Sequence, residues 1–321
     1  MFILRALLFL LFIPSSFCFA GEWPERPIRM IVPHSAGSPP DIVARFIGHE
    51  MSKGLGQPVY IENKVGAAGV VGLNDLLRQP TDGYTIYCMS MTLVTAPHFV
   101  NSVKPNFLNQ IEPVGQTNWT HSILVTGNHS PANNLRELIE VSKSSKNGLN
   151  YGSGGLGAPA HLLAELLKNQ FNLQINHVPY AQFNQVIPDL IKGRVDFMFL
   201  SANVAIPYIQ GGKLKALGVV SRERLSAIPG VPSLFEQGFQ NFEARSWEGV
   251  VVKTGVSRNI VIRLNYEINK ALDSLDLKQR FVDLGMLPAK STPESFKDLI
   301  RADSLRWNAL IEKSNLGKNS P

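Results

Sequence analysis

Two short loops carry residues that could bind an anion. The first is Pro33-His34-Ser35-Ala36-Gly37-Ser38-Pro39-Pro40-Asp41, between a predicted strand and a predicted helix. We expect Ser38 to be the N-cap, Pro39 the first helical residue, and Asp41 the partner that completes a capping box. The backbone amides of residues 35–38 would then be free, and such a helix start favours an anion by about 0.3–2 kcal/mol. A carboxylate suits this chemistry, although a capped helix with nothing bound explains the same residues.

The second loop is Gly152-Ser153-Gly154-Gly155-Leu156-Gly157, which also follows a predicted strand and leads into a helix at Pro159. Its glycine spacing matches that of a dinucleotide-binding loop. Such a site also needs an acidic residue about 20 positions further on, and residues 171–180 contain neither Asp nor Glu. We therefore favour a loop that offers its amides to a small ligand. Two such helix starts, one in each of two domains, predict a cleft between the domains.

Catalytic and metal chemistry are weakly indicated. Ser153 lacks the glycine that a nucleophile elbow needs two positions earlier, because Tyr151 stands there. Asp41 and Asp196 could form an acid–base pair, but Asp41 is already assigned to capping. None of the histidines has the paired spacing of a metal motif; they are His34, His49, His98, His121, His129, His161 and His177. We expect a binding protein without metal or cofactor, in which His161 either faces the cleft or has a structural role.

The N-terminus predicts export. Arg5 precedes an apolar run over Ala6–Ile13, which is too short to cross a membrane, and Ala20 offers a small residue for cleavage. We expect residues 1–20 to be a signal peptide and the protein to be periplasmic. Cys18 follows the bulky Phe17, so lipid anchoring is not expected. The mature chain would then keep Cys88 alone, as a buried residue without a disulfide.

Charge and length limit the remaining classes. The chain has 321 residues and a net charge of +6, with no block of five or six basic residues. A diffuse positive charge suits an anionic small molecule, and we expect no nucleic-acid partner.

Short apolar runs alternate with amphipathic segments, which predicts an α/β protein with mixed, mainly parallel sheets. We expect a discontinuous first domain (residues 21–121 and 222–321) and a second domain (residues 122–221), joined by a hinge of two crossings. The register of the pattern changes near Val114–Val125. Helical patterns over residues 257–284 and Pro293–Lys313 are expected to pack back on the first domain.

The sequence resembles the Bug receptors, the substrate-binding proteins of tripartite tricarboxylate transporters. The resemblance extends over nearly the whole mature chain. Its motifs are Trp23-Pro24-Glu25-Arg26-Pro27-Ile28, Asp41-Ile42-Val43-Ala44-Arg45, Leu55-Gly56-Gln57-Pro58-Val59, Asp82-Gly83-Tyr84-Thr85, Leu149-Asn150-Tyr151-Gly152-Ser153, His177-Val178-Pro179-Tyr180, Val231-Pro232-Ser233 and Ser246-Trp247.

The resemblance implies a two-domain periplasmic-binding-protein fold of type II, with a small carboxylate held between the domains for uptake. Amino acids, di- and tricarboxylates and aromatic acids are the implied ligands. A ligand sensor that signals to a membrane partner is the alternative, and a periplasmic enzyme is much less favoured. The implied partner is a membrane transporter or a sensor kinase, and we expect a monomer.

The candidate ligand-binding residues combine the two loops with neighbouring polar positions. They are His34, Ser35, Ala36, Gly37, Ser38, Asp41, Ser90, Thr92, Ser153, Gly154, Gly157, Ala158, Pro159, His161, Tyr180 and Ser201. The chain departs from the family pattern at His34, where Phe is usual, at Ser38, where Gly is usual, and at Ala181-Gln182, where Lys-Gly is common. The ligand of a relative therefore does not transfer directly to this chain.

Overall fold

The computed structural model describes residues 23–101, 105–181, 183–240 and 245–313. The predicted signal peptide and Cys18 lie outside these residues, as does Gln182. In the part of the chain that is described, no helix has the length and apolar character needed to span a bilayer.

Helices and strands alternate along the chain. The first part contains β1 (Ile28–Val32), α1 (Pro39–Leu55), β2 (Val59–Asn63), α2 (Val70–Arg78), β3 (Thr85–Ser90), α3 (Met91–Thr95) and β4 (Ile111–Gly127). The middle part contains α4 (Leu135–Ser144), β5 (Leu149–Ser153), α5 (Pro159–Phe171), β6 (Ile175–Pro179), α6 (Phe183–Ile191), β7 (Phe197–Ser201), α7 (Ala202–Gln210) and β8 (Leu214–Val219). The last part contains β9 (Arg245–Lys253), α8 (Arg258–Ala271), α9 (Leu275–Asp283), β10 (Met286–Pro288) and α10 (Pro293–Lys313).

The strands form two sheets that share β4. Along the connected sheets the order is β2-β1-β3-β9-β4-β7-β5-β6, with β8 and β10 also paired to β4. The pairs made by β1 and by β5 are parallel, whereas the pairs made by β4 and by β9 are antiparallel. The outer strands therefore follow the parallel α/β pattern that the sequence predicts, and the centre does not.

Strand β4 is the element that connects the two domains. Over residues 111–121 it pairs with β9, and over residues 122–127 it pairs with β7 and β8. Its pairing with β9 shifts register twice, between Pro113 and Gly115 and between Gln116 and Asn118. The change of register that the sequence indicates near Val114–Val125 falls within this single long strand.

Each domain has its own apolar core. In the first domain, α1 and α8 cover one face of the sheet, while α2 and α10 cover the other. In α1, Val43, Ile47 and Met51 recur at helical spacing and are buried, which explains why this segment is a helix that faces the sheet. In the second domain, α4, α5, α6 and α7 pack around β5 and β7.

Several predicted elements need correction. The helical stretch over residues 257–284 is two helices, because α8 ends at Ala271 and Ser274 caps the start of α9. Helix α7 is not predicted, and it contains Pro207, a residue that normally argues against a helix interior. Helix α5 starts at Pro159 and α10 covers Pro293–Lys313, as predicted.

Candidate functional site

A cleft lies between the starts of α1 and α5, and both domains contribute to its walls. Its inner part has a volume of about 90 Å³ and its outer part about 410 Å³. The inner part is lined by His34, Ser38, Pro39, Pro40, Ser90, Met91, Thr92, Ser122, Gly154, Ala158, Pro159, Ala160, Met198, Phe199, Leu200, Ser201, Ser246, Trp247 and Glu248.

Loop 1, residues 34–41, brings the start of α1 to the cleft. Ser38 is the N-cap by backbone conformation, with φ −72° and ψ 160°, but its side chain makes no capping hydrogen bond. Pro40 at the second helical position has no N–H to offer, which removes one of the two usual partners of an N-cap side chain. The predicted capping box is therefore wrong in detail.

Two of the four amides that were expected to be free in loop 1 are already used. Gly37 N donates to Asp41 Oδ2 at 2.9 Å, and Ser38 N donates to Ser35 O at 3.1 Å. The expectation that all amides of residues 35–38 face a ligand is thus wrong for Gly37 and Ser38. The loop satisfies these donors itself, because the carboxylate of Asp41 accepts from Gly37 and the carbonyl of Ser35 accepts from Ser38.

Asp41 places a buried carboxylate, paired with Arg45, at the start of α1. Its carboxylate accepts hydrogen bonds from Arg45 Nε at 2.9 Å and from Asn63 Nδ2 at 2.8 Å. Burial opposes ionisation of Asp41, but the hydrogen bonds from Arg45, Asn63 and Gly37 outweigh it and lower the pKa. The helix start at loop 1 therefore already holds an anion.

Loop 2, residues 153–161, has the same backbone design at the start of α5. Gly157 has a positive φ of 75°, and Gly37 has 76° at the equivalent place in loop 1. Ala158 N donates to Gly155 O at 3.3 Å, and Gly157 N donates to His161 Nδ1 at 3.2 Å. His161 thus occupies in loop 2 the position that Asp41 occupies in loop 1.

The side chain that closes loop 2 is neutral. Burial lowers the pKa of His161 to about 4, so the ring is uncharged at neutral pH. The ring lies edge-on to Phe99 at 5.5 Å between centroids and 4.6 Å from the ring of His177. His161 is not among the residues that line the cleft. Its contacts in the structure are with Gly157 and with the rings of Phe99 and His177.

Ser153 and His177 form a close pair behind loop 2. Ser153 Oγ lies 2.6 Å from His177 Nε2 and accepts a hydrogen bond from Gly155 N at 3.0 Å. A serine beside a histidine invites a nucleophile interpretation. Ser153 is 0 % exposed, however, and lines neither part of the cleft. The pair therefore lies within loop 2 and its supporting strands and not at the described cleft surface.

The floor of the inner cleft is a polar row across three strands. Ser90 of β3 and Asn118 of β4 both lie opposite Glu248 of β9 in the sheet. His34 Nε2 lies 3.0 Å from Ser90 Oγ, and Asn118 Nδ2 donates to Glu248 Oε2 at 2.6 Å.

Both ionisable members of this row have shifted pKa values. Burial lowers the pKa of His34 to about 4, so this side chain is neutral at neutral pH. Burial raises the pKa of Glu248 to about 7, against the opposing effect of the Asn118 hydrogen bond. The floor therefore contains one acid that titrates near neutrality.

The two loops contact the opposite domain. Asn203 Nδ2 of α7 donates to Pro39 O of loop 1 at 3.2 Å. Thr95 Oγ1 of α3 lies 2.9 Å from Gly157 O of loop 2. Leu162 of α5 packs in a core cluster of the first domain. Each helix start is therefore positioned by both domains.

The structure brings ten of the sixteen predicted site residues to the cleft surface. They are His34, Ser35, Ser38, Ser90, Thr92, Gly154, Ala158, Pro159, Tyr180 and Ser201. Six others do not line it: Ala36 and Gly37 are exposed to solvent, and Asp41, Ser153, Gly157 and His161 are buried.

Sequence reasoning missed the contribution of β9 to the cleft. Trp247 and Glu248 line the inner part together with Ser246. One signal was present, because Glu248 is the single charged residue in the otherwise apolar stretch Trp247–Val252. Burying such a residue is costly unless it has a partner or a function.

The described residues contain no group of three or more His, Cys, Asp or Glu side chains that could hold a metal ion. Cys88 is buried and unpaired, as expected, and burial raises the pKa of its thiol.

Comparison with known proteins agrees with this architecture. Over 297 residues the chain is 30 % identical to the protein BugT of Bordetella pertussis, covering 92 % of this chain and 91 % of BugT. The structure of MatC from Rhodopseudomonas palustris with bound malate superposes with a TM-score of 0.84 at 28 % identity, covering 90 % of this chain and 100 % of MatC. Another R. palustris protein, with adipate, superposes with a TM-score of 0.85 at 25 % identity, covering 92 % and 99 % of the two chains.

The fold is that of the two-domain periplasmic binding proteins, which are solute receptors. Residues 43–316 match the tripartite tricarboxylate transporter family receptor. The chain belongs to this family, and the resemblance to Bug receptors seen in its sequence is confirmed.

Proposed function

We propose that this receptor captures a small carboxylate in the cleft between its domains and delivers it to a membrane transporter, without catalysing a reaction. The observation that carries the proposal is the convergence of two helix starts from different domains on one cavity. Ser38 at the start of α1 and Ala158 at the start of α5 line the same inner cleft. A helix start favours an anion because its first amides and its dipole both face the ligand.

Loop 2 is the better candidate to hold the carboxylate group. Gly154 lines both parts of the cleft, and the amides of Gly154 and Leu156 donate no hydrogen bond among the described residues. The acceptor that closes this loop is the neutral His161, so a ligand carboxylate meets no fixed negative charge there.

Side chains around the cleft would complete the site. Ser38 Oγ is buried without a hydrogen-bond partner among the described residues, so it is available to a ligand. We propose that the ten cleft-lining residues named above contact the ligand. The six predicted site residues that do not line the cleft would position the loops.

The wider arrangement is part of the same proposal. We propose domain boundaries at residues 121–122 and 221–222, with β4 as one of the two crossings. A ligand that contacts both loops would favour the closed arrangement, through its higher affinity for that state. We also propose export through the N-terminal segment and a monomeric receptor.

The solved relatives support the carboxylate class. Malate is bound to MatC and adipate to the second R. palustris protein. Both compounds are small carboxylates, which is the class that the helix starts of this chain would accept. Because the cleft floor is polar and not purely apolar, the particular acid that binds is identified by experiment.

A thermal-shift screen of the mature protein tests the proposal. Carboxylates, amino acids and aromatic acids are compared with sugars and with amines that lack a carboxylate. A ligand present at 100 times its Kd adds about 2.7 kcal/mol to the stability of the folded state. We expect carboxylates to raise the Tm and to be recovered chemically unchanged. A shift by sugars or amines alone, or conversion of the ligand to a product, would reject the proposal.

A further inference from the structure

Glu248 is a buried acid whose charge has no counterpart in the cleft. It is 3 % exposed and lines the inner cleft from β9. Among the described residues, those that line the two parts of the cleft include no Lys or Arg, and Glu248 is the one acidic residue of this set.

Only one of the two carboxylate oxygens of Glu248 has a hydrogen-bond partner. Oε2 accepts from Asn118 Nδ2 at 2.6 Å, whereas Oε1 has no partner among the described residues. A carboxylate that is removed from water normally needs hydrogen bonds to both oxygens and a nearby cation. Glu248, which lines the cavity, is therefore the residue whose Oε1 lacks a hydrogen-bond donor.

The groups around Glu248 supply no cation either. Ser90 on β3 and Asn118 on β4 flank it in the sheet. The ionisable group that interacts with Glu248 is Cys88, which becomes neutral or negative but never positive, and His34 beside Ser90 is neutral. A positive charge beside Glu248 would therefore come from the ligand.

We propose that Glu248 selects a ligand that carries an ammonium group, so that the cleft takes an amino carboxylate in preference to a dicarboxylate. The inference rests on the proposed function, with the carboxylate of the ligand at loop 2 and its ammonium group at Glu248. The second carboxylate of a diacid would instead be placed against a buried acid, which is an effective way to reject a competing ligand.

A matched ligand series tests this selection. Butanoate, 4-aminobutanoate and succinate share a four-carbon chain and differ at the far end, as do hexanoate, 6-aminohexanoate and adipate with six carbons. The proteinogenic amino acids extend the series to shorter spacings. Titration calorimetry at pH 7.5 gives Kd for each ligand with the wild type and with Glu248→Gln.

We expect an amino carboxylate of at least one length to bind about 10- to 100-fold more tightly than the alkanoate and the diacid of that length. Glu248→Gln should remove this preference, so that the amino carboxylate binds no more tightly than the alkanoate of the same length. Glu267→Gln is the control, because Glu267 is an equally buried acid on α8 outside the cleft. It should leave the preference intact.

Proton linkage distinguishes a ligand ammonium group at Glu248 from a ligand carboxylate at Glu248. If an ammonium group meets Glu248, binding at pH 6.5 releases a proton, whereas a diacid that meets a protonated Glu248 takes one up. Calorimetry in buffers of different ionisation enthalpy measures the sign. Proton uptake, or a diacid that binds best, overturns the inference and leaves the proposed carboxylate receptor standing. If no carboxylate in the series binds at all, the proposed function fails as well.

Discussion

The two loops that flank the cleft have one backbone design and two different electrostatic characters. In both, a glycine with positive φ precedes the N-cap, a proline begins the helix, and the third helical residue accepts a hydrogen bond from that glycine. In loop 1 the acceptor is the ionised Asp41, and in loop 2 it is the neutral His161. The geometry of a helix start therefore does not by itself decide where an anion binds, because the residue that closes the loop can already supply the negative charge.

Blocking loop 2 should have the largest effect on binding. A Cβ at Gly154 would meet no protein atom within 4 Å, so Gly154→Val adds bulk to the cleft without disturbing the fold. We expect the affinity for the carboxylate that binds the wild type to fall at least about 100-fold, equivalent to about 2.7 kcal/mol. Calorimetric titration measures the loss.

Gly230→Val is the control for this variant, because Gly230 also has open space around its Cβ position and lies outside the cleft. It should bind as the wild type does. If Gly154→Val binds normally, the carboxylate does not lie at loop 2.

Neutralising the acid of loop 1 should affect the fold more than the binding. Asp41→Asn replaces one oxygen, which accepts hydrogen bonds, with an amide that faces the donors Arg45 and Gly37 or Asn63. We expect the free energy of unfolding to fall by about 2 kcal/mol, as for a lost hydrogen bond to a charged group. Urea denaturation measures this change.

Carboxylate affinity should be unchanged or higher in Asp41→Asn, because Asp41 does not line the cleft and the substitution removes a buried negative charge from the start of α1. Asp82→Asn is the control, since Asp82 pairs with Arg26 at an exposed site where less than about 1 kcal/mol is expected. A large loss of affinity in Asp41→Asn would show that the two loops are not divided in this way.

The smallest effect at neutral pH is expected for the acceptor of loop 2. His161→Phe keeps an aromatic ring beside Phe99 and removes the acceptor from Gly157 N, at a cost of about 1 kcal/mol at pH 7.5. The exposed His49→Gln should change stability by less than about 0.5 kcal/mol.

At acid pH the order of stability should reverse, so that the wild type loses more stability than His161→Phe. The pKa of His161 is about 4 in the folded protein, below its ordinary value of 6.5, so the unfolded chain binds the extra proton first. The stability that depends on neutral His161 is fully present above pH 6.5 and is lost as the pH falls through 4, by about 3 kcal/mol. His161→Phe should therefore lose less stability than the wild type between these pH values. Parallel slopes for both proteins would contradict this origin of the pH dependence.

Local sequence patterns predicted the parts of the fold that depend on local rules. The start of α5 at Pro159 and its end at Phe171 follow from a proline after a small residue and from helical periodicity. Strand β4 escaped prediction because buried polar residues interrupt its apolar pattern, among them Gln116, Thr117 and Asn118. These side chains are satisfied by partners on β9 or close by in β4, and such long-range pairing leaves no periodic signal.

The candidate site shows the same division. The two helix starts could be found from their own residues, but the use of the Gly37 amide by Asp41 depends on how a side chain turns. Glu248 reaches the cleft only because β9 lies between β3 and β4 in the sheet. In the sequence, the whole of the proposed second domain, residues 122–221, lies between Ser90 and Glu248.

Because β4 belongs to both sheets, the two domains are joined by a shared strand and not by a flexible linker alone. Over residues 111–127 one continuous backbone ladder runs from the first sheet into the second, so any rotation of one domain against the other has to twist or bend that strand. The relative orientation of the domains is therefore coupled to the conformation of β4. Dividing the gene at the middle of β4 would produce two fragments with unpaired strand edges. We expect neither fragment to fold on its own.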